Sequence, residues 1–174
     1  DIGFYPRAQF HYRVRPSGIS QNILIYCLEG KGWLEVPSGN YAVGPNQYLI
    51  IPADMPHTYG ADEKNPWTIY WFHFKGIQST YFTALLSKQF KSFTNDTIFI
   101  DERIRIFDSM YKNLESGYSL DNLAYTSISF QYFLATLTFT DKFTTAHHAI
   151  EKDAVDISIE YMQNHLDISV TLES

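Results

Sequence analysis

Apolar and polar positions follow two different rules along this chain, and the rule changes near residue 76. Up to that point apolar residues come in short runs closed by turn signals, the pattern of strands joined by tight turns. Residues 10–14 end at Arg15-Pro16-Ser17-Gly18, and residues 22–28 are dense in β-branched and aromatic side chains. Glu29-Gly30-Lys31-Gly32 is expected to form a hairpin into a strand at 33–36, and Pro37-Ser38-Gly39-Asn40 turns into 41–43. Gly44-Pro45-Asn46 leads to 47–51, and 67–74 is the longest strand, with a loop at 52–56 between them. Trp67, Ile69, Trp71 and His73 fall on one face of that last strand, and Thr68, Tyr70, Phe72 and Phe74 on the other, because side chains alternate along a strand. Short strands at this spacing point to a sandwich or small barrel.

Beyond residue 76 the period lengthens to that of a helix. Asp101-Glu102 opens a segment with Ile104, Phe107, Tyr111 and Leu114 at spacings of three and four, and Gly117 closes it. Ser119 is an N-cap candidate for a second helix carrying Leu120, Leu123, Ser127, Phe130, Leu134 and Leu137 at heptad spacing, with Ala124, Ile128 and Ala135 widening the stripe. A helix apolar on more than one face has to bury both. One face can cover the barrel while the other meets a second copy, or the two helices can simply pack on each other. Residues 142–152 read as a polar linker that includes His147-His148, taken as solvated. Residues 153–166 give a third helical pattern with Val155, Ile159, Met162 and Leu166, and Thr171 caps the opening of another helix where the sequence stops. The expected organisation is a barrel at 1–76, a helical region at 77–141, a linker at 142–152 and the beginning of a further domain at 153–174.

Composition sharpens this division. All seven prolines, eight of nine glycines and all three tryptophans lie in residues 1–76. That region holds six basic and six acidic residues, and the remainder holds seven and thirteen, which gives the whole chain its charge of −6. So acidic a chain is a poor candidate for gripping a phosphate backbone unaided. Hydrophobic residues at 45% and charged ones at 18% belong to a folded domain. No apolar run reaches membrane-spanning length, so no membrane partner is expected. The single cysteine, Cys27, excludes a disulfide framework and fits a reducing, cytoplasmic setting. The first residue is Asp, so the chain is expected to be a fragment or a processed product.

Chemistry-bearing motifs are sparse. Serine-elbow, phosphate-loop and paired-carboxylate patterns are lacking, and Cys27 sits in an apolar strand where a thiol is inert packing. His11, His57 and His73 are the histidines of the first region, and a metal-dependent isomerase or dioxygenase using these three imidazoles is the competing reading. The His-x-His pair that usually anchors such a site is missing, and no metal or cofactor is expected. Binding chemistry has more to offer: an arginine fork at Arg15, Tyr59 after Pro56-His57-Thr58, and the Trp71 indole, a surface on which a sugar ring stacks. Trp71 as core filling and Arg15 as a surface residue remain the plain alternatives.

In their order, Arg15-Pro16-Ser17-Gly18, Glu29-Gly30-Lys31-Gly32, Gly44-Pro45, Ile50-Ile51-Pro52, Pro56-His57-Thr58-Tyr59-Gly60 and Trp67 through Phe74 resemble the cupin-type sensor domain at the N-terminus of AraC-family transcription regulators. The resemblance implies an α+β fold: a small antiparallel jelly-roll-like barrel, two packed helices, and at 153–174 the start of a helix-turn-helix domain. It implies a regulator, not an enzyme, whose metal-free barrel binds a small polar effector of carbohydrate type. It also implies a homodimer and contact with DNA only through a further C-terminal domain. In the arabinose-responsive member the sugar is held by residues matching Arg15, Tyr59 and Trp71. Where that member has a ligand-contacting histidine this chain has Ile69, which argues against arabinose itself. An N-terminal arm covers the ligand in some members; Phe4 and Tyr5 are what this chain has to reach the pocket.

Overall fold

A computed structural model of the chain describes residues 1–89, 99–140, 142, 158–159 and 161–162. Eight strands come first: β1 (Ile2–Tyr5), β2 (Tyr12–Arg15), β3 (Asn22–Glu29), β4 (Gly32–Val36), β5 (Gly39–Val43), β6 (Tyr48–Ile51), β7 (His57–Ala61) and β8 (Thr68–Phe74). Three helices follow: α1 (Ser79–Gln89), α2 (Ile100–Glu115) and α3 (Leu120–Thr138). The strands make two antiparallel four-stranded sheets, ordered β1-β8-β3-β6 and β2-β7-β4-β5. Apart from the β4–β5 hairpin, successive strands alternate between the sheets, so the chain closes a jelly-roll-like barrel as expected.

This alternation corrects one expected turn. Glu29-Gly30-Lys31-Gly32 does not close a hairpin, since β3 pairs with β6 and β8 while β4 pairs with β5 and β7. The segment instead carries the chain from one sheet to the other, tightly against Pro66 and Trp67. Gly30 has a φ of +71°, and a Cβ at Gly32 would overlap the Trp67 ring.

The β1-β8-β3-β6 sheet is covered on both faces, which explains why β3 is apolar along nearly its whole length. Its inner face supplies Ile23, Ile25, Cys27, Leu49, Ile51, Trp67 and Ile69, which meet Leu34, Val43 and Tyr59 of the other sheet. Its outer face supplies Leu24, Tyr26, Tyr48, Ile50, Tyr70 and Phe72, which pack under Leu86 of α1, Phe107 and Met110 of α2, and Phe133, Leu134 and Leu137 of α3. Tyr70 and Phe107 stack with ring centroids 3.6 Å apart. Barrel and helices thus form one compact unit, Asp1–Thr138, and Phe139–Ser174 forms a second.

The helices depart from expectation in three ways. α1 is an element that the sequence reading does not include, although Tyr81, Phe82, Leu85 and Leu86 share one broad face of it. α2 is turned relative to the expected stripe: Arg103, Ile106, Phe107 and Met110 are buried, and Tyr111 is exposed. The cause is Arg103, a cation 3% exposed, which donates to Thr136 Oγ1 (3.2 Å), the Thr136 carbonyl (2.9 Å) and the Tyr26 hydroxyl (3.3 Å). α3 begins where expected, with the Asn122 amide donating to Oγ of Ser119 at 3.2 Å. Its heptad stripe is split: Leu134 and Leu137 are buried in this chain's own core and Phe130 packs against it, whereas Leu120, Leu123 and Ser127 are exposed.

Ser158, Ile159, Tyr161 and Met162 are helical and exposed. The expected linker beyond Lys142 lies outside the described residues, as do Val155, Leu166 and the capping Thr171.

Candidate functional site

Which face of β8 looks inward is settled by its pairings. Trp67 and Ile69 are fully buried in the barrel interior, and Trp71 packs against that cluster. Accessibility rises along the strand, so Trp71 and His73 are half-buried. On β1, Gly3 pairs with Trp71 and Tyr5 with Ile69, which puts Tyr5 on the same interior side. On β2 and β7, Arg15 pairs with His57 and Arg13 with Tyr59, and side chains of paired residues share a face. The expected ligand set of Arg15, Tyr59, Trp71, Ile69 and Tyr5 therefore comes from four strands and lines one interior.

Rings connect these positions. Tyr5 lies 5.2 Å from His11 and 5.9 Å from Trp71, measured between centroids. His11 meets Tyr59 at 5.3 Å and Trp67 at 5.6 Å, and His57 stacks on Tyr59 at 5.8 Å. His73 meets Trp71 edge-on at 5.4 Å. The interior is thereby divided. β3, β4, β5 and β6 give it aliphatic side chains, while β1, β2, β7 and β8 give it rings and polar atoms. Cys27 belongs to the aliphatic part: burial raises its thiol pKa to about 12, and Sγ donates to the Glu29 carbonyl, the inert behaviour expected of it.

The polar part contains an excess of unused hydrogen-bonding capacity. Among the described residues, five buried side-chain atoms have no hydrogen-bond partner: His11 Nδ1, Arg15 Nη1, His57 Nε2, Trp67 Nε1 and Trp71 Nε1. All five belong to this interior. Buried polar atoms are normally paired, and leaving one unpaired costs roughly 1–3 kcal/mol. All five lie on side chains of the barrel's ring-rich part, which makes it the candidate binding surface.

Electrostatics point the same way. Burial, reinforced by Arg13 and Arg15, lowers the His11 pKa to about 4. Burial and Arg15 bring His73 to about 4, and burial also lowers His57 despite its bond to the Met55 carbonyl. Burial raises the Tyr59 pKa against the opposing pull of Arg15 and Arg13. These imidazoles are neutral at physiological pH, and the arginines supply the positive charge of the site.

His11, His57 and Trp67 were not anticipated as part of a binding surface. The alternation of His57 and Tyr59 on β7 is the signal in the sequence that places the two on one face. The histidines do not assemble as the metal reading requires. Among the described residues, no three His, Cys, Asp or Glu side chains come together as a group able to hold a metal ion. His11 and His57 pack instead on the Tyr59 ring.

An open groove of about 950 Å³ runs between the end of β8 and the helices, past Phe74, Tyr111, Tyr118, Leu123 and Phe130. Of the residues bearing unpartnered buried polar atoms, none borders it, so the barrel interior is the stronger candidate.

Similarity to known proteins agrees with this geometry. The profile of the family described as "AraC-like ligand binding domain" matches residues 3–131. The chain belongs to that family. It is 40% identical over 84 residues to the MmsAB operon regulatory protein of Pseudomonas aeruginosa, a match covering 46% of this chain and 27% of that relative. Among solved structures, the cupin domain of Schizosaccharomyces pombe Cnp3 is 17% identical, covering 43% of this chain and 53% of that one, with a TM-score of 0.36. The DMSP lyase DddQ of Ruegeria pomeroyi is 13% identical, covering 45% and 38%, with a TM-score of 0.34. Among the described residues no helix is long and apolar enough to cross a membrane.

Proposed function

We propose that this chain is the effector-sensing part of a cytoplasmic transcription regulator, and that it binds a small polar molecule in the barrel without performing chemistry on it. The cluster of five unpartnered buried polar atoms around Arg15, Tyr59 and Trp71 carries this reading. Membership of the ligand-binding family supports it, as does similarity to a protein named as an operon regulator. The effector stacks on Trp71, bonds to Arg15 and lies against Tyr59, with Ile69 at its apolar side and Tyr5 closing over it from β1. A carbohydrate skeleton fits such a surface, since its C–H face stacks on an indole while its hydroxyls bond at the rim.

Binding holds β1 over the ligand and alters how two copies present their DNA-binding domains; a ligand shifts that balance only by its differential affinity for the two states. The copies pair through the exposed start of α3, at Leu120, Leu123 and Ser127, and DNA is contacted through a C-terminal domain. No cofactor takes part. The test is a thermal-shift screen of sugars, polyols and their derivatives against the wild-type chain and Trp71→Leu. A ligand that binds only the folded state at 100 times its Kd stabilises by about 2.7 kcal/mol. A stabiliser that loses its effect in Trp71→Leu supports the reading, and one whose effect is unchanged removes the site from the barrel.

A further inference from the structure

The unpartnered atoms are not equivalent, and their chemistry narrows the effector. Arg15 Nη1, Trp67 Nε1 and Trp71 Nε1 can only donate. His57 can only accept at its free nitrogen. Its Nδ1 lies 2.7 Å from the Met55 carbonyl, which must receive a proton, so a neutral ring leaves a lone pair on Nε2. His57 is 4% exposed and Trp67 is fully buried, so bulk solvent does not bathe either side chain. Two arginines reach into the molecule and are treated very differently: Arg103 is buried and Arg15 is half-buried. Arg103 has three acceptors within 3.3 Å, while Arg15 leaves a buried guanidinium nitrogen without any. Among the described residues the one ion pair is Arg105–Glu102, on α2. Among the described residues, the charges that reach His11, His57 and Tyr59 from side chains other than Tyr5 are those of Arg13 and Arg15, with no carboxylate among them. A half-buried guanidinium with one enclosed, unpartnered nitrogen and no counterion beside it has capacity left for an anion.

We propose that the effector is an anion: a small hydroxylated carboxylate whose carboxylate is held by the Arg15 guanidinium, with the indole N–H groups of Trp67 and Trp71 as further donors, and whose hydroxyl donates to Nε2 of His57. This rests on the effector-sensing reading above and narrows its ligand from a neutral sugar to a hydroxy acid or sugar acid. A carboxylate matches a guanidinium in charge and fork geometry, whereas a neutral hydroxyl leaves the cation uncompensated.

Calorimetric titration of the 174-residue chain with matched pairs tests this: galacturonate against galactose, glycerate against glycerol, and 3-hydroxybutyrate against both 1,3-butanediol and butyrate. At least one acid is expected to bind ten or more times tighter than its neutral mate. Arg15→Gln should abolish that preference, and His57→Phe should reduce the advantage of 3-hydroxybutyrate over butyrate. Because Arg15 has an unsatisfied nitrogen, Arg15→Gln should melt no lower than wild type without ligand. Arg15→Lys, which keeps the charge and loses the fork, provides a second variant. Neutral ligands binding as tightly as acids, with Trp71→Leu weakening both, overturn the anion and leave the effector site in place. Acid binding unchanged in Arg15→Gln and Trp71→Leu alike removes both readings. Failure of every acid to bind overturns the anion.

Discussion

The Trp71 indole lies across the backbone of Gly3, its partner in the β1–β8 register, so closely that a Cβ on Gly3 would overlap the ring. The absence of a side chain at residue 3 therefore sets the pose of the aromatic surface at the barrel's polar side. Gly3→Ala should displace the indole, and forcing extra atoms into a packed site costs roughly 1–3 kcal/mol. The expected results are a shifted tryptophan emission spectrum and effector affinity reduced by about tenfold, close to 1.4 kcal/mol. Emission and titration curves that match wild type would show that the pose does not depend on Gly3.

Arg103 offers a contrasting case of a buried cation. Its three hydrogen bonds tie α2 to Thr136 of α3 and to Tyr26 of β3, and the guanidinium carbon lies 5.5 Å from the Tyr26 ring centroid. Lysine cannot span the same acceptors. Arg103→Lys should destabilise the chain by about 3 kcal/mol, in the range of a broken buried charge network, read as the midpoint of urea unfolding. An unchanged midpoint would mean that the helices are held by apolar packing alone.

The two halves of the α3 stripe should respond in opposite ways. Leu134→Ala opens a cavity in the shared core and should cost about 2–5 kcal/mol. Leu123→Asp changes an exposed position, so stability should stay within about 0.5 kcal/mol. Sedimentation should nevertheless show weaker self-association for Leu123→Asp. A dimer undisturbed by that variant places the interface on another surface.

The barrel histidines give stability a definite pH dependence. His11 and His73 have pKa values lowered to about 4 in the fold, against an ordinary value of 6.5. Above pH 6.5 they are neutral whether folded or unfolded and contribute nothing to the difference. As pH falls from about 6.5 to 4 the unfolded chain takes up protons that the folded chain refuses, so stability falls across that window. The melting temperature should drop between pH 6.5 and 4, and less steeply in His11→Phe. Parallel profiles for the two proteins would show that His11 is solvated.

Alternation along residues 67–74 separated the two faces of β8 correctly from sequence, yet left their direction open. The reason is physical: a sheet buried on both sides is apolar on both faces, so hydropathy cannot orient it. Arg103 concealed the buried face of α2 because a charge reads as surface when its acceptors, Tyr26 and Thr136, lie far away in sequence. Local turn and strand signals did locate Arg15, Tyr59 and Trp71 at or near strands, which the structure places on β2, β7 and β8. The unpartnered nitrogens of His11 and His57 were not legible, since such an atom becomes visible only once its surroundings are known. The β3–β4 connection was misread for a similar reason: Gly30 and Gly32 serve close approach to Pro66 and Trp67, which a local turn pattern cannot distinguish from a hairpin.

The most direct measurement is where a bound effector sits. The chain crystallised with its strongest stabilising ligand should show that ligand inside the barrel, within hydrogen-bonding distance of Arg15 and against the Trp71 indole. Density for the ligand in the groove beside Tyr111 and Phe130, with the barrel side chains unchanged, would contradict the account.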